Sequence, residues 1–391
     1  MDSTQDIKLT LIIATKNKPD VLRAMLKYYS SIKLPYKILI ADDTNIKRYR
    51  KYNIDSVAMS NNLKIEYLNL ETNSMFKSIV RLLERVDTSY VLNSGDDDFF
   101  SLKTINRILY FLESNKDFVS AGGISVKLNA FWDNNYKKWR VVNKLNGTTD
   151  NNNSDNLVLR LINYTRRLKV TTYNITRTRP LLRAYKLAEN HNLFDTPFAT
   201  ELFQNSILSA SGKNRTFYSF YHYWFAPINR RKINELKTKK EGAKDKNYLF
   251  NDLASLKTTN SSISFLNLLS TELNKKFNLD KIVANNLARS VWLSYWSGYY
   301  LRRKSEAVKE SYFFVLSARN KYTFRLYIFV VKFFSKLYSL REVILHGNFF
   351  KEIFIYLYVK SVFLLGRLKL NDSIKIRNLL NNETVDFLDN T

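Results

Sequence analysis

The first 125 residues alternate short β-branched apolar runs with segments of helical spacing, and this pattern most restricts what the chain can fold into. Runs at 8–14, 36–41, 63–70, 89–92 and 118–121 predict five strands, the last ended by Gly122-Gly123. Residues 20–29 place Val21, Leu22, Met25, Leu26 and Tyr29 on one helical face. Residues 74–87 do the same with Met75, Ile79, Leu82, Leu83 and Val86, and 101–115 is a further helix. Strands alternating with helices predict an α/β domain built on a mostly parallel, Rossmann-like sheet flanked by helices. Such sheets bind ligands at the carboxyl ends of their strands. Those ends carry Thr15 to Lys18, Asp42-Asp43 and Asp96-Asp97-Asp98.

Three adjacent carboxylates repel one another, and a hard divalent cation offsets that repulsion while bridging to phosphate oxygens. Asp96, Asp97 and Asp98 are therefore candidate ligands for Mg²⁺ or Mn²⁺ gripping a diphosphate; the alternative is an acidic turn that starts the next helix. Asp42 and Asp43 are candidates to accept hydrogen bonds from a nucleoside, the alternative being an Asp-rich turn. The chain has no Cys and three His, which excludes a disulfide framework, a thiolate nucleophile and a Cys-ligated or multi-His metal site.

Three segments resemble family 2 glycosyltransferases. Leu11-Ile12-Ile13-Ala14-Thr15-Lys16-Asn17-Lys18-Pro19 is similar to the family opening I-I-P-T-Y-N-R. Ile38-Leu39-Ile40-Ala41-Asp42-Asp43-Thr44 is similar to V-V-D-D-G-S, and Tyr90 to Asp98 to the strand that ends in D-x-D. Ala14 replaces the usual Pro, and Thr44-Asn45 the usual Gly-Ser. The resemblance implies a GT-A fold and metal-dependent, inverting transfer from a nucleotide-sugar, taken as a UDP-sugar; the basic-aromatic region at 301–370 suggests a bacterial surface-glycan or lipid-linked acceptor. It implies nucleoside contacts from Thr15, Asn17 and Asp42 or Asp43, and metal-diphosphate contacts from Asp96 and Asp98. Gly122-Gly123 is then a candidate loop for close backbone approach to the donor sugar. The family's base is an acid at a helix start in an E-D pair; here a single acid, Glu201, is the candidate, with Asp195 as the alternative. His222 is the candidate for completing the metal shell, against a buried, hydrogen-bonded imidazole.

The charge is unevenly spread. The chain carries +27, yet its first hundred residues hold 15 basic and 13 acidic side chains. The excess lies downstream and suits anionic partners. Residues 160–180 contribute Arg166, Arg167, Arg177 and Arg179 as candidates for an anionic donor or acceptor. Residues 231–391 are expected to form a mainly helical domain after a catalytic domain at 1–230, with a charged linker at 230–246. Within it, 301–370 interleaves 14 basic residues with 16 Phe or Tyr, as a helix lying on an anionic membrane would, or as a helical domain with an aromatic core. No run reaches the ~20 apolar residues of a membrane span. The acidic, polar start lacks a signal-peptide pattern, so the expected location is cytoplasmic, at most peripheral to the membrane's inner face. A nucleotidyltransferase would need a Gly-rich loop after the first strand, and 14–19 has no Gly. A nucleic-acid-binding protein would carry a recognition motif, and none is present.

Overall fold

The computed structural model describes residues 8–133, 138–145, 151–167, 171–191, 193–195, 197–227 and 256–295. The order is β1 (Leu9–Thr15), α1 (Pro19–Ser31), β2 (Lys37–Asp42), α2 (Lys47–Ala58), β3 (Ile65–Asn69), α3 (Met75–Leu83), β4 (Tyr90–Gly95), β5 (Asp98–Phe100) and α4 (Leu102–Ser114). There follow β6 (Phe118–Asp133), β7 (Lys138–Leu145), α5 (Leu157–Arg167), β8 (Ile175–Arg177), α6 (Thr178–Asn190), a 3₁₀ turn at Leu193–Asp195, α7 (Pro197–Ser211), β9 (Lys213–Pro227) and α8 (Leu256–Lys275). Residues 281–295 are also helical.

The sheet runs β3-β2-β1-β4-β8-β6-β9-β5, with β7 paired to β6. The half from β3 to β4 is parallel. The other half is mixed, because β8 enters antiparallel between β4 and β6, and β5 pairs antiparallel with β9. This is the expected α/β arrangement of helices flanking a sheet, with a less uniform sheet than strand–helix alternation predicts. Parallel register aligns Thr15 with Asp42 and Ala14 with Gly95, so the polar strand ends share one edge.

The apolar faces read from the sequence are the buried ones. Val21, Leu22, Met25, Leu26 and Tyr29 are all buried. In α3, Ile79, Leu82 and Leu83 enter a core with Ile12, Leu39, Val91, Leu181, Tyr185 and Leu208, while Met75 at the helix start is exposed. Each such aliphatic side chain contributes on the order of 1.5–3 kcal/mol by leaving water. On α8, Phe265 packs edge-on against Phe203 of α7, and Arg183 of α6 pairs with Glu272. The expected boundary near residue 230 and the 230–246 linker lie outside the described residues. So does 301–370, the region read as membrane-facing. Among the described residues, no helix is long and apolar enough to cross a membrane.

Two local expectations change. Residues 143–157, whose polar, Asn-rich composition reads as a loop, begin with the end of β7 and finish at the start of α5. Gly122-Gly123 does not end a strand: β6 continues through it to Asp133, with register shifts against β9 on either side. Glycines here mark a bulge where neighbours press close, not a stop. A Cβ on Gly122 would lie 2.0 Å from Asn174 Oδ1, and one on Gly123 would lie 2.5 Å from Tyr221 Cβ and 2.7 Å from the Ser219 carbonyl oxygen. Gly123→Ala is therefore expected to destabilise the domain by about 1–3 kcal/mol, measured as a lowered urea midpoint with unchanged slope.

Candidate active site

The β1–α1 turn sets one wall of the site. Asn17 adopts φ 56°, a conformation Asn tolerates better than most residues. Its backbone N–H donates to Thr44 Oγ1 and its Nδ2 to Asn45 Oδ1, locking this turn to the end of β2.

Asp42 and Asp43 are buried and already bonded. Asp42 accepts from the Thr44 N–H, Asn53 Nδ2 and Tyr67 OH. Asp43 accepts from the Thr72 N–H and hydroxyl and from the Ser78 hydroxyl. Both carboxylates therefore brace the loops after β2 and β3.

The three acidic residues differ sharply in environment. Asp96 is 4 % exposed; Thr15 Oγ1 donates to its Oδ2 at 2.9 Å and Lys18 Nζ to its Oδ1 at 2.8 Å. Burial pushes its carboxyl up to about 6, against the pull of Lys18. Asp97 is more open and lies 3.4 Å from the same Lys18 Nζ; burial, then the Asp98 charge, raise its carboxyl above the usual range. Lys18 itself is raised, since the two carboxylates outweigh the opposing effect of burial. Asp98 is fully buried. Its Oδ2 accepts from the Gly95 N–H at 2.8 Å, and its Oδ1 lies 2.7 Å from His222 Nε2. Ser125 Oγ lies 2.9 Å from Nδ1, so both ring nitrogens have a partner. The imidazole is stacked between Phe100 and Tyr173.

Hard carboxylate oxygens and one imidazole are the right donors for Mg²⁺ or Mn²⁺, and Asp98 and His222 already touch. In the described residues, however, no three such side chains converge as a ready metal site. Protein donors hold both oxygens of Asp96 and both of Asp98, so the donor set fits the ion in kind and its present partners would have to be exchanged.

The candidate base is carried on α7. Thr200 Oγ1 donates to the Leu193 carbonyl at its start, and Arg160 donates to the Ser209 and Ala210 carbonyls at its end. Glu201 sits in its second turn, and burial raises its carboxyl above the usual glutamate range. Its charge is felt by Tyr164, Tyr173 and Tyr185. Asp195 lies in the 3₁₀ turn before this helix.

Tyr173 senses both the acid loop and Glu201. Its phenol is raised first by the Asp98 charge, then by burial, with Asp97 and Glu201 contributing. Asn205, one turn after Glu201, accepts from the Thr171 N–H and hydroxyl and holds the Tyr173 segment to α7. Nothing in the sequence marks Tyr173, because its neighbours are distant in the chain. Lys18 did leave a signal: a cation at a helix N-terminus opposes the macrodipole and needs an anion beside it.

The arginines named from sequence are not gathered here. Arg177 donates to the Phe118, Leu112 and Asn115 carbonyls and to the Tyr90 hydroxyl, which makes it a cap on the end of α4. Arg179 lines a surface hollow with Arg183 and Lys186. The side chains of Arg166 and Arg167 lie outside the described residues.

Residues 10–186 match the model of glycosyl transferase family 2. Over this segment, less than half of its length, the chain is similar to the family 2 glycosyltransferases. No curated protein sequence matches the chain. Among solved structures, Staphylococcus aureus TarS 1–349 is similar at 14% identity, over 74% of this chain and 92% of that one, with TM-score 0.39. The same fragment in complex with UDP-GlcNAc is similar at 13% identity over the same shares, with TM-score 0.38. A longer S. aureus TarS structure is similar at 13% identity, over 68% of this chain and 44% of that one, with TM-score 0.36.

The Arg177 contacts yield a prediction that separates structure from chemistry. Arg177→Ala is expected to cost roughly 2–4 kcal/mol in urea unfolding, since three partly buried carbonyls lose a donor. Below the unfolding range, the variant's turnover is expected to match wild type.

Proposed function

We propose that this chain transfers a sugar from a nucleotide-diphosphate donor to a hydroxyl of a surface-glycan or lipid-linked acceptor, with inversion, and that Glu201 is the base. The observation that carries this reading is the pairing of an acidic strand-end loop with a desolvated carboxylate on α7, with Tyr173 electrostatically coupled to both. A base must be ionised to accept the acceptor's proton as the hydroxyl attacks the anomeric carbon, and a raised pKa brings Glu201 closer to the proton it must take. Thr15, Asn17 and the Asp42-Asp43 turn form the nucleoside side of the proposed cleft, with Gly122-Gly123 near the donor sugar. A Mg²⁺ or Mn²⁺ ion would be held by Asp96, Asp97, Asp98 and His222 and would neutralise charge on the departing diphosphate. The acceptor's chemistry and any membrane contact by 301–370 belong to this proposal as well.

The first test is a screen of nucleotide-sugars, UDP-GlcNAc among them, for nucleotide release with and without candidate acceptors. Release from one donor, lost in Glu201→Gln, is the expected result. The variant should lower kcat by about 10²–10⁴ while KM stays within a few-fold. An unchanged kcat would remove Glu201 from the base role, and no release or donor binding under any condition would remove the transferase reading itself.

The pH profile supplies a further prediction. Burial favours protonated Glu201, and only the ionised form accepts a proton. kcat/KM is therefore expected to rise with pH along an acid limb whose midpoint lies above the ordinary glutamate value of about 4.3. Residual turnover in Glu201→Gln should lack that limb.

A further inference from the structure

Two of the three acidic residues are held by a group whose hold can be broken cheaply, and the third is not. Both oxygens of Asp98 are committed inside the protein, to the Gly95 N–H and to His222, and the residue is fully buried. Freeing Oδ1 would leave the buried His222 ring nitrogen without this partner. Asp96 Oδ2 is held by Thr15. Asp96 Oδ1 and Asp97 Oδ2 share one partner, the Lys18 ammonium, at 2.8 and 3.4 Å. The Lys18 side chain is 48 % exposed, so its charge can return to water on a flexible stem without opening the core. Lys18 is also the N-cap of the 13-residue helix α1 and makes no side-chain capping bond there. A positive charge at that end is unfavourable to the helix, so the two carboxylates are what keep the ammonium in place.

We infer that Lys18 is a resident counter-ion of the acid loop, and that a divalent cation reaches Asp96 and Asp97 only by displacing it. This rests on the proposed metal reading of the loop and adds a residue to it. With Lys18 in place, part of the loop's charge is already neutralised, and the apparent affinity for a free divalent ion is reduced by the fraction of molecules in which Lys18 occupies the carboxylates. If that fraction exceeds nine in ten, removing the ammonium tightens metal binding about tenfold or more. An arginine at this position keeps the charge and should keep the competition.

The test is calorimetric titration of Mn²⁺ into the full chain, with and without UDP, for wild type, Lys18→Met, Lys18→Gln and Lys18→Arg. Thermal melting of each variant serves as the folding control, and the glutamine variant stands in if the methionine variant does not fold. The expected result is Mn²⁺ binding at least about tenfold tighter in Lys18→Met and Lys18→Gln than in wild type, with Lys18→Arg close to wild type. Mn²⁺ binding that is equal or weaker in the two neutral variants overturns the role of Lys18 and leaves the metal reading standing. Absence of Mn²⁺ binding in every protein, with or without UDP, overturns the metal reading and the inference with it.

Discussion

Asp98 is completely buried, and a carboxylate there is tolerated only while both of its oxygens are hydrogen-bonded. One bond comes from the Gly95 backbone, which folds the acid loop back on itself; the other comes from His222 on β9. β9 belongs to the mixed half of the sheet, whereas Gly95 ends a strand of the parallel half. This one side chain therefore ties the two halves together at the place where the candidate site lies. The stack of Phe100, His222 and Tyr173 covers the pair and keeps water from competing for it.

The site divides its labour by burial. The parallel edge supplies groups that are satisfied within the protein: Asp42 and Asp43 hold loops, and Thr15 orients Asp96. The more exposed Lys18 and Asp97 remain able to change partners. α7 is pinned at both ends by Thr200 and Arg160, so Glu201 is carried on a rigid element. Rigid placement would serve the proposed base role, because a base that wanders by an ångström loses much of its advantage. Arg160 and Arg177 also show how part of the basic excess is used. Each is turned inward to cap the carbonyls at the end of a helix, α7 and α4 respectively.

Much of the fold was legible because it depends on local periodicity. β1, β2, α1 and α4 lie close to where apolar spacing puts them. The strand-end acids were legible too, since a parallel sheet aligns its carboxyl ends whatever the loops do. Tertiary pressure accounts for the misses. β5 is three residues long and exists only by pairing with β9. Gly122-Gly123 looks like a stop in one dimension and is a bulge in three, because Asn174 and Tyr221 occupy the space where side chains would stand. Met75 has the right spacing for burial and lies at the helix start, beyond the edge of the core.

The amino-acid sequence by itself determined the α/β class, the edge of the sheet where the candidate site lies, and the acidic character of that edge. These follow from side-chain periodicity and from the direction of parallel strands. Only the tertiary structure decided which acid does what. Asp98 is locked by His222, Asp96 and Asp97 are shared by Lys18, and Glu201 is desolvated on α7. Three adjacent Asp residues are chemically identical in the sequence. Burial and the partners brought in from β1, α1 and β9 make them different, because the cost of a carboxylate's charge depends on the dielectric and the donors around it.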